Sequence, residues 1–231
     1  MAGTFLQESV FFGVVLSLAA YGIGILLKAK LKKGIFNPLL ISIILVILFL
    51  KLSGTGYSVY YEGAKYISYL LTPATICLAL PLYEQFEVLR KNAAAVLAGI
   101  FSGVLTSLCC ILAMALLFRL DHAEYVTFLP KSITTAIGMG VSEELGGYVS
   151  ITVAVIIITG VMGNVLADPV LKLFRIKEPV ARGVGIGTAS HAIGTARAMQ
   201  LGETEGAMSS LSIVVAGILT VAGASLFAGF L

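Results

Sequence analysis

The feature that most constrains this chain is a series of long, almost uncharged apolar runs separated by short charged stretches. A helix of about 20 apolar residues spans the roughly 30 Å hydrocarbon core of a bilayer, and several of these runs are that long. Only 12% of the residues are charged, against about 25% in soluble domains. The solvent for most of the chain is therefore lipid.

The first run, Phe5 to Leu27, has Glu8 before its apolar stretch and Lys28, Lys30, Lys32 and Lys33 after it. A signal peptide has the opposite order, so the run reads as an uncleaved first helix. A second helix is expected from Asn37 and Pro38 to Leu52. The tyrosines that follow, from Tyr57 to Tyr69, suit a membrane interface. Pro73 and Pro81 must break the third segment. Ala93 to Phe118 is a long apolar helix in which Gly99 and Gly103 form a G-x-x-x-G packing motif. Cys77, Cys109 and Cys110 lie in apolar runs without metal-ligand spacing and read as packing residues.

Two segments depart from this pattern. Ser132 to Gly147 reads SITTAIGMGVSEELGG and precedes a helix expected over Tyr148 to Ala167. Gly183 to Gly206 reads GVGIGTASHAIGTARAMQLGETEG and precedes a helix expected over Ala207 to Leu231. Both are rich in glycine and hydroxyl residues and both carry acids, Glu143 and Glu144 in one and Glu203 and Glu205 in the other.

Lysine and arginine place ten charges in the loops of one predicted side and four in those of the other, with Arg197 left inside the second odd segment. The richer side is expected to be cytoplasmic. That alternation makes the two odd segments enter from opposite faces and leaves both termini outside. The expected fold is an all-α integral membrane protein with about six spanning helices and two oppositely oriented re-entrant or broken-helix elements, an inverted repeat like those of secondary transporters. Residues 1–128 would supply scaffold helices and residues 129–231 the inverted pair, within one membrane domain.

Helix ends inside a membrane present unpaired N–H groups to an anion. Ser132, Thr134, Thr135, Ser190 and Thr195 add hydroxyls, and Gly138 allows close backbone approach. Arg197 carries a fork that matches a carboxylate; the alternatives are an ion pair with Glu203 or Glu143, or snorkelling to the interface. His191 is a candidate proton shuttle or substrate donor, with a structural hydrogen-bonding role as the alternative. Glu143, Glu144 and Glu203 are candidates for proton coupling, with a solvated hairpin end as the plainer reading. No catalytic residue, metal site, cofactor or nucleic-acid partner is expected, since Walker motifs, zinc-type spacings and nucleophile–base pairs are missing from the sequence.

Three stretches carry a family resemblance: LTPATICLALPLYEQ, PKSITTAIGMGVSEELGG and GTASHAIGTARAMQLGETEGAMSSL. The chain resembles the LrgB/CidB family over nearly its whole length, with Thr72 standing where the family more usually has glycine. The resemblance implies a bacterial inner-membrane protein of antiholin-like type, affecting murein hydrolase export and lysis. It also implies an LrgA-like membrane partner. Related proteins move small monocarboxylates: the plant plastidial glycolate/glycerate translocator is similar to an LrgA and LrgB fusion, and some bacterial pairs are implicated in pyruvate uptake. Secondary transport of pyruvate- or glycolate-like acids is the leading expectation, regulation of a holin or an oligomeric pore the alternative, and a homodimer the expected assembly.

Overall fold

The computed structural model describes residues 9, 11–31, 37–77 and 79–231, and among these every regular element is helical. The chain divides into two compact units, Met1–Cys77 and Leu78–Leu231. That division falls well before the boundary expected at residue 128.

The first unit holds α1 (Phe12–Leu31), α2 (Pro38–Ser53), α3 (Tyr57–Ser68) and α4 (Leu71–Cys77). Lys28 and Lys30 lie in the last turn of α1 instead of beyond it. Cations there face the free carbonyls at the helix end, and their aliphatic stems continue the apolar surface. Phe5, Glu8, Lys32 and Lys33 lie outside the described residues. Asn37 caps α2, its side-chain oxygen accepting from the amides of Leu39 and Leu40. Gly54 ends that helix in the left-handed conformation at φ 67°, where glycine carries no Cβ penalty. Only small or N-terminal residues of α1 are buried, whereas Leu26 is 71% exposed. Such a helix is stable only where apolar surface needs no water, which is the bilayer.

The second unit holds α5 (Ala79–Glu84), α6 (Phe86–Phe118), α7 (His122–Phe128), α8 (Thr135–Glu144), α9 (Val149–Leu173), α10 (Pro179–Leu201) and α11 (Glu203–Phe227), closed by a 3₁₀ turn at Ala228–Phe230. Val96, Ile100, Val104, Leu108, Ile111 and Ala115 recur every three or four residues on α6 and are all buried, so one stripe faces the bundle. Leu97, Phe101, Leu116 and Leu117 on the other faces are exposed. Asp121 and Glu124 form a reciprocal capping box that starts α7. The buried Tyr125 hydroxyl donates to the Phe227 carbonyl at 3.0 Å and pins α7 to the end of α11.

Among the described residues, four helices are long and apolar enough to cross a membrane: α1, α6, α9, and α11 with its closing turn. The expectation of about six is not reached among the described residues. Helix α2 is apolar but has 16 residues, and the proline-bearing third segment is divided between α4, which holds Pro73, and α5, which holds Pro81. Helix α8 has ten residues, about 15 Å at 1.5 Å per residue, and is too short to cross.

The two odd segments also differ in local build. The first is a turn and a short helix that ends on Glu143 and Glu144, whereas Glu203 and Glu205 open the first turn of α11. Most of the second, Gly183 to Leu201, lies with Pro179 to Arg182 in one 23-residue helix broken in its middle, and its last residues begin α11. The correspondence expected between the acid pairs therefore does not extend to their positions on helices. Helix α9 also runs past its expected end at Ala167, through Pro169 to Leu173. Pro169 removes one hydrogen bond near the C-terminus, where few turns remain to be disrupted.

Candidate functional site

Helix α10 breaks at Ser190 (φ −140°, ψ 18°) and His191 (φ 43°, ψ −144°). The positive φ of His191 is a strained conformation for a residue with a Cβ, held here by its neighbours. Ser190 Oγ donates to the Ile186 carbonyl at 2.7 Å, and Asn164 Nδ2 on α9 donates to the Ile193 carbonyl at 2.7 Å. Thr195 Oγ1 donates to the His191 carbonyl at 2.9 Å and lies 2.7 Å from Ser209 Oγ on α11. His191 Nε2 lies 3.1 Å from the Ile156 carbonyl. A carbonyl only accepts, so Nε2 carries the proton. Irregular backbone inside a membrane protein requires this kind of satisfaction by neighbours.

Glycines on α9 make room for the break. A Cβ on Gly160 would sit 2.8 Å from the His191 ring, and one on Gly163 would overlap Ser190 Cβ. On the other side of α10, a Cβ on Gly187 would overlap the Ser209 carbonyl of α11. Helices α9, α10 and α11 thus meet through small residues, and Ser190, His191 and Thr195 are buried among them.

Arg197 follows one of its alternatives, with a different partner. Its Nε donates to Asp168 Oδ1 at 3.3 Å, Nη2 pairs with Asp168 Oδ2, and Nη1 donates to Gln200 Oε1 at 2.9 Å. Neither Glu203 nor Glu143 is its ion-pair partner. The pairing exists because α9 continues to Asp168 as a helix beside α10. The buried Glu205 pairs with Arg182 at 3.5 Å, and the Arg182 Nε donates to the Ile176 carbonyl at 3.0 Å. Around these ion pairs lies a cavity of about 480 Å³ lined by Lys172, Arg175, Lys177 and Arg182 as well as Asp168 and Arg197. It is an electropositive recess, and Glu203 stands exposed at the start of α11.

In the first segment, Thr134 occupies the N-cap of α8 without a side-chain cap bond, and Thr135 begins the helix. Gly138 is a packing position, where a Cβ would overlap Ile156 Cδ1. Glu143 and Glu144 are exposed. A separate buried hydroxyl cluster holds this segment to its neighbours: Thr152 Oγ1 lies 2.7 Å from Ser142 Oγ and 2.9 Å from the Thr127 carbonyl, while the Tyr148 amide donates to Thr127 Oγ1 at 2.8 Å.

Ser132 lies apart from that cluster and accepts from Lys131 Nζ at 2.9 Å. Both residues line a cavity of about 330 Å³ shared with Gly99, Gly103 and Ser107 of α6 and with Gly185 and Thr188 of α10. The G-x-x-x-G motif seats α10 here, since a Cβ on Gly103 would lie 2.8 Å from Thr188 Cγ2. The two odd segments therefore contribute to one cavity, the first through Ser132, which was expected at a binding site, and the second through Gly185 and Thr188, which were not. Lys131 counts in sequence as a loop cation. Its position directly before the S-I-T-T run was the available signal.

The LrgB-like family profile matches residues 17–230. The chain is 40% identical over 223 residues to the antiholin-like protein LrgB of Bacillus cereus, covering 96% of each chain. The antiholin-like protein LrgB of Bacillus anthracis gives the same identity and coverage. No solved structure matches. With its apolar spanning helices and this match over nearly its full length, the chain belongs to the LrgB-like family.

Proposed function

We propose that this chain is an antiholin-like protein of the bacterial cytoplasmic membrane, one that governs how readily small solutes cross it and works with an LrgA-like membrane partner. The observation that carries this reading is the 40% identity, over nearly the whole of both chains, to relatives bearing the antiholin-like name. The excess of lysine and arginine in alternate loops supports an orientation with both termini outside and the two odd segments entering from opposite faces. A homodimer is the assembly we assign.

A finer reading is carriage of a small monocarboxylate such as pyruvate or glycolate by alternating access. It is supported by the broken helix α10, whose polar residues are buried between α9 and α11. A self-assembling pore needs a polar stripe along a continuous helix, whereas these polar groups cluster at one break. Transporters of several folds place binding sites at such discontinuous helices.

Purified protein in liposomes, with and without the LrgA-like partner, tests both readings. Saturable uptake of labelled glycolate or pyruvate, competed by the unlabelled acid, is expected for a carrier. Non-saturable leakage of unrelated solutes would remove the carrier reading and leave the permeability role. A deletion strain with unaltered autolysis and unaltered solute permeability would remove the antiholin-like reading.

A further inference from the structure

We infer that the cavity between α6, the Lys131–Ser132 corner and α10 is a binding site for a small organic anion, with the Lys131 ammonium as charge partner and Ser132 and Thr188 as hydroxyl donors. The inference rests on the reading that the chain handles small solutes, and it assigns the site to residues other than the Arg197 fork.

Four observations carry it. Lys131 is partly buried, donates to the neutral Ser132 hydroxyl, and among the described residues has no carboxylate within 4.0 Å. The other cation considered for an anion, Arg197, already holds both oxygens of Asp168. Thr188 is 8% exposed, lines the same cavity, and its Oγ1 is the buried side-chain polar atom left without a hydrogen-bond partner among the described residues. Such an atom loses the hydration it had in water and gains nothing in return until a ligand or water reaches it. The third observation concerns space: a Cβ on Gly185 meets nothing within 4 Å, so this wall is open rather than packed.

The fourth observation limits the class of ligand. Lys131 and Cys110 also line an adjoining cavity of about 380 Å³ whose other walls are Ile111, Met114, Phe118, Leu120 and Phe128. An ammonium and hydroxyls on one side with an apolar wall on the other match a small anion bearing a short apolar or neutral tail better than they match inorganic phosphate. An anionic lipid phosphate has the same charge, so anionic lipid is the competing ligand in the test.

Binding of sodium pyruvate and sodium glycolate to the purified full-length protein in neutral phosphatidylcholine nanodiscs, measured by calorimetry, tests this. Glycolamide serves as the uncharged control and inorganic phosphate as the second anion. Lys131→Met is expected to weaken pyruvate or glycolate binding by about ten- to a hundredfold, and Thr188→Val by about three- to tenfold. Gly185→Leu, which adds an apolar side chain to the cavity wall at a position where a Cβ meets nothing within 4 Å, is expected to abolish binding while leaving the unfolding temperature near that of the parent. It keeps the test decisive if Lys131→Met fails to fold. Unchanged affinity in Gly185→Leu, or no binding of either acid to the parent protein, overturns the site. Competition by phosphatidylglycerol in the nanodisc that exceeds competition by the free acids overturns the choice of ligand in favour of lipid phosphate. Saturable liposome uptake that survives Gly185→Leu separates the two claims, because the site then fails while the carrier reading stands.

Discussion

Arg197 presents Nε and Nη2 to the two carboxylate oxygens of Asp168, one helix to the next, so its fork is occupied within the protein. The pair is only partly buried, with the two side chains 25% and 36% exposed. Removing either partner leaves the other charge uncompensated. We expect Arg197→Gln and Asp168→Asn each to destabilise the protein by about 1–3 kcal/mol, between the values for surface and buried pairs. The double variant is expected to lose less than the sum of the two. Thermal unfolding of the four proteins in detergent measures this, and strictly additive losses would show that the contact contributes nothing.

The break in α10 is held by glycines on the facing helix. Gly163→Ala places a methyl group on Ser190 Cβ and is expected to lower the unfolding temperature markedly or to yield aggregated protein. Gly140→Ala, where nothing lies within 4 Å, is expected to be neutral or slightly stabilising. Size-exclusion profiles after stepwise heating compare the two, and equal behaviour would mean that the packing at the break is looser than described.

The Thr127, Ser142 and Thr152 cluster ties α7, α8 and α9 together. Thr152→Val keeps the shape and removes the hydroxyl, leaving buried acceptors with fewer donors. The expected loss is about 1–3 kcal/mol. Because the cluster lies apart from the Lys131 cavity, glycolate affinity is expected to stay unchanged in this variant, and calorimetry beside an unfolding assay checks both halves.

Burial holds the Lys131 ammonium below the usual lysine value of 10.5. In the empty protein the proton is therefore lost at lower pH than in an unfolded chain, and stability rises with pH between the lowered and the usual value. Anion binding has the opposite sign, since it requires the ammonium and in turn favours its protonation. Affinity for pyruvate is expected to be full below the lowered value and to fall as pH climbs through it, with proton uptake on binding. Titrations in buffers of different ionisation enthalpy detect that uptake, and a pH-independent affinity up to the ordinary lysine range would contradict it.

The loop charges predict that single cysteines replacing Lys28 and Arg175 are labelled from the same, cytoplasmic side by a membrane-impermeant maleimide. Labelling from opposite sides would overturn the orientation and with it the opposed entry of the two odd segments.

Hydrophobic runs are a local property, so membrane residence, the long helices α6, α9 and α11, the start of α2 at Asn37 and Pro38 and the polar character of the two odd segments were all legible in the chain itself. Full-length identity to its relatives then fixed the family. Pairing across helices is not local. Whether Arg197 meets Asp168, Glu203 or a ligand depended on α9 continuing as a helix through Asp168, beyond its expected end at Ala167. Whether His191 faced a substrate path or a neighbouring carbonyl depended on a reversal of φ at a single residue. Lys131 looked like an ordinary interfacial cation because exposure is not written in one position; only the close seating of α10 against Gly99 and Gly103 placed it in a shared cavity with Thr188. The sequence determined the solvent and the helices, because transfer of apolar side chains into lipid depends on composition alone. The tertiary structure decided which polar groups are already satisfied and which remain open to a ligand, because that depends on distances between residues far apart in the chain.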